Sequence, residues 1–123
     1  MIQSVQLVPM DFVLIVQVLI NLIDNSLIYS PPDSPIDILA GRNSGEIMVQ
    51  VRDRGIGIPP EDLEHIFDKF YRVKRPENIS GTGLGLSISK GIIEAHGGRI
   101  WAINAHPNSH HGGAIFSFTL PLD

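Results

Sequence analysis

Two asparagines, Asn21 and Asn25, stand four residues apart in a stretch rich in apolar residues. On a helix, positions i and i+4 project side by side from one face. Neutral amide oxygens so placed can complete the shell of a hard cation that keeps several waters and takes its charge balance from phosphate, the usual way Mg²⁺ is held beside a nucleotide. The same pair also suits a solvated helix face or a set of side-chain caps. A second constellation is Asp53-Arg54-Gly55-Ile56-Gly57-Ile58-Pro59. An aspartate at a strand end, followed by Gly55 and Gly57, leaves a carboxylate facing a space that backbone can approach closely. It can accept a hydrogen bond from an exocyclic amine such as that of adenine, or bond its own backbone in a turn. The third is Gly81-Thr82-Gly83-Leu84-Gly85-Leu86-Ser87. Alternate glycines before a helix expose N–H groups at its N-terminus, which suits phosphate, although a flexible linker has the same composition. Leu86 occupies the position where a dinucleotide fingerprint needs glycine, and the Gly-Lys-Ser/Thr of a P-loop occurs nowhere.

These groups need elements to hold them. The spacing predicts a helix over Asp11–Tyr29, with Asp11 as N-cap and Ser30-Pro31-Pro32 as its end. Phe12, Ile15, Val16, Leu19, Leu22, Ile23 and Ser26 follow one stripe, and Gln17, Asn21 and Asn25 another. Ile36–Ala40 and Glu46–Arg52 read as strands of a hairpin, turning through Gly41–Gly45. A short helix is expected over Glu61–Phe67, started by Pro59-Pro60. A second long helix should run over Leu84–His96, stopped by Gly97-Gly98, with His96 at the terminus that the helix dipole favours. Arg99–Asn104 and Ala114–Leu120 read as two more strands, and Gln3–Leu7 as a short one. The sum is an α+β sandwich, with helices on one face of a mixed sheet. Gly55–Thr82 is far longer than the ~15 residues beyond which a loop is usually a functional lid or disordered.

Length and composition set the outer bounds. A chain of 123 residues predicts one domain, with a core of its own. Apolar residues are 43% and charged residues 18% of the chain, which excludes a disordered class. A net charge of −4 gives no basic field for nucleic acid or an anionic membrane. The absence of cysteine rules out disulfides and thiolate metal sites and suits a reducing cytoplasm. The apolar run Phe12–Ile23, broken by Gln17 and Asn21, is about half the ~20 residues that span a bilayer. No secretory signal is expected at the N-terminus. Asn78-Ile79-Ser80, a glycosylation acceptor by spelling, is read as chance. His106, His110 and His111 beside Gly112-Gly113 suit a polar hairpin loop more than a metal site.

Taken in order, Asn21–Ser26, Asp53–Ile58, Phe67-Asp68-Lys69-Phe70-Tyr71-Arg72 and Gly81–Leu86 resemble the N, G1, F and G2 boxes of the histidine-kinase and related ATPase superfamily. The resemblance runs from Asp11 to Pro121. It implies the two-layer α/β sandwich of the GHKL or Bergerat type, with a long ATP lid. It implies that Asn21 and Asn25 face Mg²⁺ and the phosphates, and that Asp53 meets the adenine amine, walled by Gly55, Gly57 and Ile58. Tyr29 and Phe70 join the nucleotide site; Phe67 and Phe70 anchor the lid. Thr82, Gly83, Leu84, Gly85 and Leu86 cover the phosphates, and Arg72 reaches the terminal one. Asn21 and Arg72 are the expected catalytic positions.

Hydrolytic relatives carry a glutamate where this chain has Asn21, which cannot act as a general base. The resemblance therefore implies a protein-histidine kinase that uses ATP and Mg²⁺ and passes the γ-phosphoryl group to a histidine on separate dimerisation helices, and thence to a response regulator. No histidine of this chain sits in the His-Glu-x-x-x-Pro setting of the family's acceptor. The implied fragment is a monomeric cytoplasmic domain of a homodimeric inner-membrane sensor. Gly91–Pro121 loosely resembles the potassium-responsive sensor kinases. One departure stands out: Ile28 occupies a site where the family usually has a lysine or arginine that reaches the phosphates, with Arg72, Lys69, Lys74 and Arg75 as substitutes. That departure keeps open a degenerate nucleotide-binding module, beside a stand-alone ATPase or an anti-sigma serine kinase.

Overall fold

A computed structural model describes residues 10–31, 33–69, 85–105 and 112–122, with Ile28 and Tyr29 as backbone alone. Helix α1 spans Phe12–Tyr29. Asp11 caps it from extended backbone, its carboxylate accepting from the Leu14 N–H at 3.1 Å, which satisfies one of the donors a helix start leaves open. The helix stops where Ser30 turns extended, at φ −105° and ψ 151°, because Pro31 disfavours helical backbone in the residue before it. Ile15, Val18, Leu22 and Ser26, spaced three and four apart, are its buried stripe.

Strands β1 (Asp37–Asn43) and β2 (Glu46–Arg52) form an antiparallel hairpin. The turn is shorter than the sequence predicts. Gly41, Arg42 and Asn43 lie in the ladder opposite Met48, Ile47 and Glu46; Gly45, at φ +84°, makes the reversal with Ser44 alone, a conformation open to glycine at no steric cost. Strands β3 (Ile100–Asn104) and β4 (Ala114–Pro121) complete a sheet of order β1-β2-β4-β3. Every pairing among these strands is antiparallel, so the mixed character expected of the sheet is not found among the described residues; Gln3–Leu7 lies outside them. The expected helix over Glu61–Phe67 is instead one 3₁₀ turn, Pro60–Asp62, followed by turns. A segment so short, opened by Pro59 with no side-chain cap, does not offset the cost of helix nucleation.

Helix α2 covers Gly85–Ala95. Gly97, at φ +81°, ends it as the sequence predicts: the Gly98 N–H donates to Ile93 O at 2.9 Å and the Gly97 N–H to Glu94 O at 3.0 Å, the paired bonds of a Schellman motif. Both helices pack on one face of the sheet. Phe116, Phe118 and Leu120, alternate residues of the central strand β4, join Val18 and Leu22 of α1 and Ile93 of α2 in the core. Truncating a fully buried phenylalanine such as Phe116 to alanine costs about 3–5 kcal/mol. No helix among the described residues is long and apolar enough to cross a membrane.

Candidate functional site

Asp53 is the first residue beyond β2 and is only 5% exposed. Its N–H donates to Ala114 O at 3.0 Å, continuing the β2–β4 pairing for one more residue. Its side chain then turns into the protein. Oδ1 accepts from the Gly55 N–H and from the Ala114 N–H, each at 3.0 Å. One carboxylate oxygen is thus fixed by two backbone donors, and Oδ2 takes no hydrogen bond from the described residues. Charge-assisted bonds of this kind hold the group in a single orientation. Gly113, at φ +77°, presses against the Asp53 carbonyl, where a Cβ would collide.

The far end of the same loop is held differently. The Ile58 N–H donates to Asn104 Oδ1 and Asn104 Nδ2 donates to Ile58 O, both at 2.7 Å. Gly57, at φ +81°, lies so close that a Cβ would stand 2.8 Å from Asn104 Oδ1. Asp53, Gly55, Gly57 and Ile58 are therefore brought together in one loop that is bonded at both ends. Asn104 and Gly113 were not legible: an asparagine at a strand end and a glycine in a polar stretch carry no signal of what they hold.

On α1 the two asparagines share a half-buried face and have unequal surroundings. Asn25 Nδ2 donates to Asn21 O at 3.4 Å, and its Oδ1 takes no bond from the described residues. Asn21 Nδ2 donates to Gly85 O and to Ser89 Oγ, each at 3.1 Å, and its Oδ1 accepts from exposed Gln17 at 3.1 Å. Asn21 therefore ties α1 to the first turn of α2, with Ser89, itself bonded to Gly85 O at 2.9 Å, completing the triangle. Ser89 is a third residue the sequence did not reveal. Next to Asn25, the Ser26 hydroxyl is fully buried with no partner among the described residues; such a group costs about 1–3 kcal/mol while unsatisfied.

Gly85 opens α2 against Asn21, and Leu86 packs, half-buried, on the core. Ile66 is buried and Phe67 packs against the same core, which anchors the start of the long loop. Phe70, Tyr71, Arg72, Lys74, Arg75, Thr82, Gly83, Leu84 and the histidines 106, 110 and 111 lie outside the described residues, as do the side chains of Ile28 and Tyr29. His96 follows the last residue of α2, where the sequence places it. Its Nδ1 lies 2.8 Å from Ile92 O, which can only accept, and its Nε2 accepts from the Asp11 N–H at 2.9 Å. The ring joins the end of α2 to the cap of α1. Among the described residues no group of three or more histidines and acids could hold a metal ion by itself.

The two-layer sandwich thus carries a fixed carboxylate on one side and paired asparagines on the other. The chain belongs to the histidine kinase-, DNA gyrase B- and HSP90-like ATPase family, whose model matches residues 10–123. It is 44% identical over 111 residues to the sensor histidine kinase WalK of Bacillus subtilis, covering 87% of this chain and 18% of that one. It is 42% identical over 123 residues to the sensor protein KdpD of Clostridium acetobutylicum, covering 98% of this chain and 13% of that one. The solved catalytic domain of the histidine kinase ThkA superposes with a TM-score of 0.79 at 38% identity, covering 94% of this chain and 70% of that one. The chain is similar to the catalytic domain of a histidine kinase and spans less than a fifth of either curated relative. The two identities are close, so they do not single out the potassium-responsive subgroup.

Proposed function

We propose that the domain binds ATP with Mg²⁺ and passes the γ-phosphoryl group to a histidine on the dimerisation helices of its parent kinase, from which a response-regulator aspartate takes it. Asp53 carries this reading. Its Oδ1 is held by Gly55 and Ala114, which leaves Oδ2 for the adenine amine, with Gly55, Gly57 and Ile58 as the wall and Tyr29 and Phe70 completing the base site. Thr82, Gly83, Leu84, Gly85 and Leu86 cover the phosphates, and Arg72 meets the terminal one.

The donors on α1 fit Mg²⁺. Asn25 Oδ1 is unengaged among the described residues, Asn21 Oδ1 is engaged only by exposed Gln17, and neutral amides suit a cation whose charge the phosphates balance. Bound there, Mg²⁺ supplies charge neutralisation as the phosphoryl group departs. The chain's own residues position the nucleotide. No base stands at position 21 to activate water, which favours transfer over hydrolysis. In the transfer, a bond forms from an imidazole nitrogen to the γ-phosphorus as the bond to the ADP oxygen breaks, and the imidazole proton passes to a base on the acceptor's own helix. The fragment is one monomeric cytoplasmic domain of a homodimeric membrane sensor, with no nucleic-acid partner.

Radiolabelled ATP tests this. The chain alone should neither label itself nor release phosphate quickly; with the parent's acceptor helices added, an acid-labile phosphohistidine should form. Rapid phosphate release by the chain alone would instead favour an ATPase. ATP binding without transfer would favour a degenerate module, the possibility that Ile28 leaves open.

A further inference from the structure

Asn104 is the last ladder residue of β3, opposite Ala114. One residue on, the Ala105 N–H donates to Gly113 O at 3.0 Å, so the β3–β4 end is bonded on both sides of the asparagine. Ala114 is also the residue that holds Asp53, through its carbonyl and its N–H. The strand end that fixes the aspartate thus also carries Asn104. From there the Asn104 amide meets both backbone groups of Ile58 at 2.7 Å, pairing with it as a facing strand residue would. Ile58 is 8% exposed and lies in no strand, and without Asn104 its N–H and C=O would have no partner of this kind. A buried backbone group left unpaired keeps its full desolvation penalty.

Few side chains can do this. The site needs an acceptor and a donor about a peptide group's width apart, which asparagine supplies. Serine reaches one of the two groups. An ionised aspartate accepts from the Ile58 N–H and repels the Ile58 carbonyl; only a protonated carboxyl both accepts and donates. The loop from Asp53 to Ile58 is therefore pinned at its two ends by two side chains, the Asp53 carboxylate and the Asn104 amide, with Gly55, Ile56 and Gly57 suspended between them.

We propose that Asn104 is a positioning residue for the base end of the nucleotide site. It acts through the Ile58 backbone and sets the distance between the loop wall and the Asp53 carboxylate. This role rests on the ATP reading above and predicts more than fold maintenance: loss of the amide should cost nucleotide affinity beyond its cost in stability.

The experiment compares wild type with Asn104→Asp, Asn104→Ser and Asn104→Ala by calorimetric titration of ATP at about pH 8 and about pH 5.5, bracketing the titration of a perturbed carboxyl. Asn104→Ala and, at the higher pH, Asn104→Asp should bind at least about tenfold more weakly, a change worth 1.4 kcal/mol. Asn104→Ser should fall between them and wild type. Relative to wild type at each pH, Asn104→Asp should regain affinity on acidification, as its carboxyl protonates and donates to the Ile58 carbonyl. Asp53 and Arg54 on the adjoining loop are common to all four proteins, and the Asn104→Ser and Asn104→Ala ratios at the two pH values show any change that does not come from the new carboxyl.

Amide hydrogen exchange at Ile58 without nucleotide is read in parallel, and should be faster in Asn104→Ala than in wild type. Variants that melt lower yet bind ATP as wild type does would overturn the proposal and make Asn104 purely structural. An affinity ratio for Asn104→Asp that does not move with pH would overturn it too. If wild type binds no ATP at all, the ATP reading fails and takes this role with it, while the Ile58 exchange still reports whether the clamp exists.

Discussion

The two ends of the candidate site are built by opposite means. At the β2 end, Asp53 is buried and its orientation is fixed by two backbone donors from two different segments. At the α1 end, Asn21 and Asn25 are half-buried, and among the described residues only exposed Gln17 bonds one of their amide oxygens. A ligand group that must be told from a near-isostere, such as an exocyclic amine, calls for a preset and desolvated partner. Phosphates and a hydrated cation bring their own charge and ordering, and they call for adaptable neutral oxygens. In the proposed function, one end selects and the other accommodates.

That contrast can be broken most forcefully at Asp53. The substitution Asp53→Asn would keep an acceptor for Gly55 and Ala114 while offering NH₂ in place of the open oxygen. It should therefore weaken ATP binding by about a hundredfold or more with little change in melting temperature. Asp53→Ala strips both N–H groups of their acceptor and should lose binding and about 2–4 kcal/mol of stability as well. Calorimetry and thermal melts together separate the two effects. Comparable ATP binding by wild type and Asp53→Asn would remove the selective end from the account.

A smaller effect should divide the two asparagines. Asn25→Ala should reduce the Mg²⁺-dependent part of ATP affinity by about tenfold with melting unchanged, since its only bond among the described residues is a long one to its own helix. Asn21→Ala should lower that part of the affinity and also cost about 1–2 kcal/mol of stability, because it unties Gly85 and Ser89. Equal loss with and without Mg²⁺ for Asn25→Ala would make that residue merely structural. Smallest of all, His96→Phe should cost about 1 kcal/mol through the lost bonds to Asp11 and Ile92, read as a lower urea midpoint with ATP affinity intact. A fall in affinity would show that the far end of α2 communicates with its nucleotide end.

What could be read from the sequence follows the same division. Asn21 and Asn25 were legible because helix period alone puts them on one face. Asp53, Gly55 and Gly57 were legible because an acid and spaced glycines at a strand end are local chemistry. The supports were not legible, since they are long-range. Asn104 meets Ile58 across 46 positions and Ser89 meets Asn21 across 68, and nothing local marks either residue. Punctuation misled in two places. Gly41, Arg42 and Asn43 read as turn residues and form ladder pairs, because Gly45 needs only Ser44 to reverse the chain. The helical promise of Glu61–Phe67 ends after one 3₁₀ turn. The position of His96 was clear from Gly97-Gly98, but its partner Asp11 lies 85 residues away.

The most direct test of the central claim, a preset carboxylate that selects adenine, is a calorimetric titration of the wild-type chain with ATP and with GTP, each with Mg²⁺. ATP should bind at least about tenfold more tightly, because guanine presents a carbonyl where adenine presents its amine, and an acceptor facing Asp53 Oδ2 leaves both groups unpaired. Equal affinities for the two nucleotides would contradict the account.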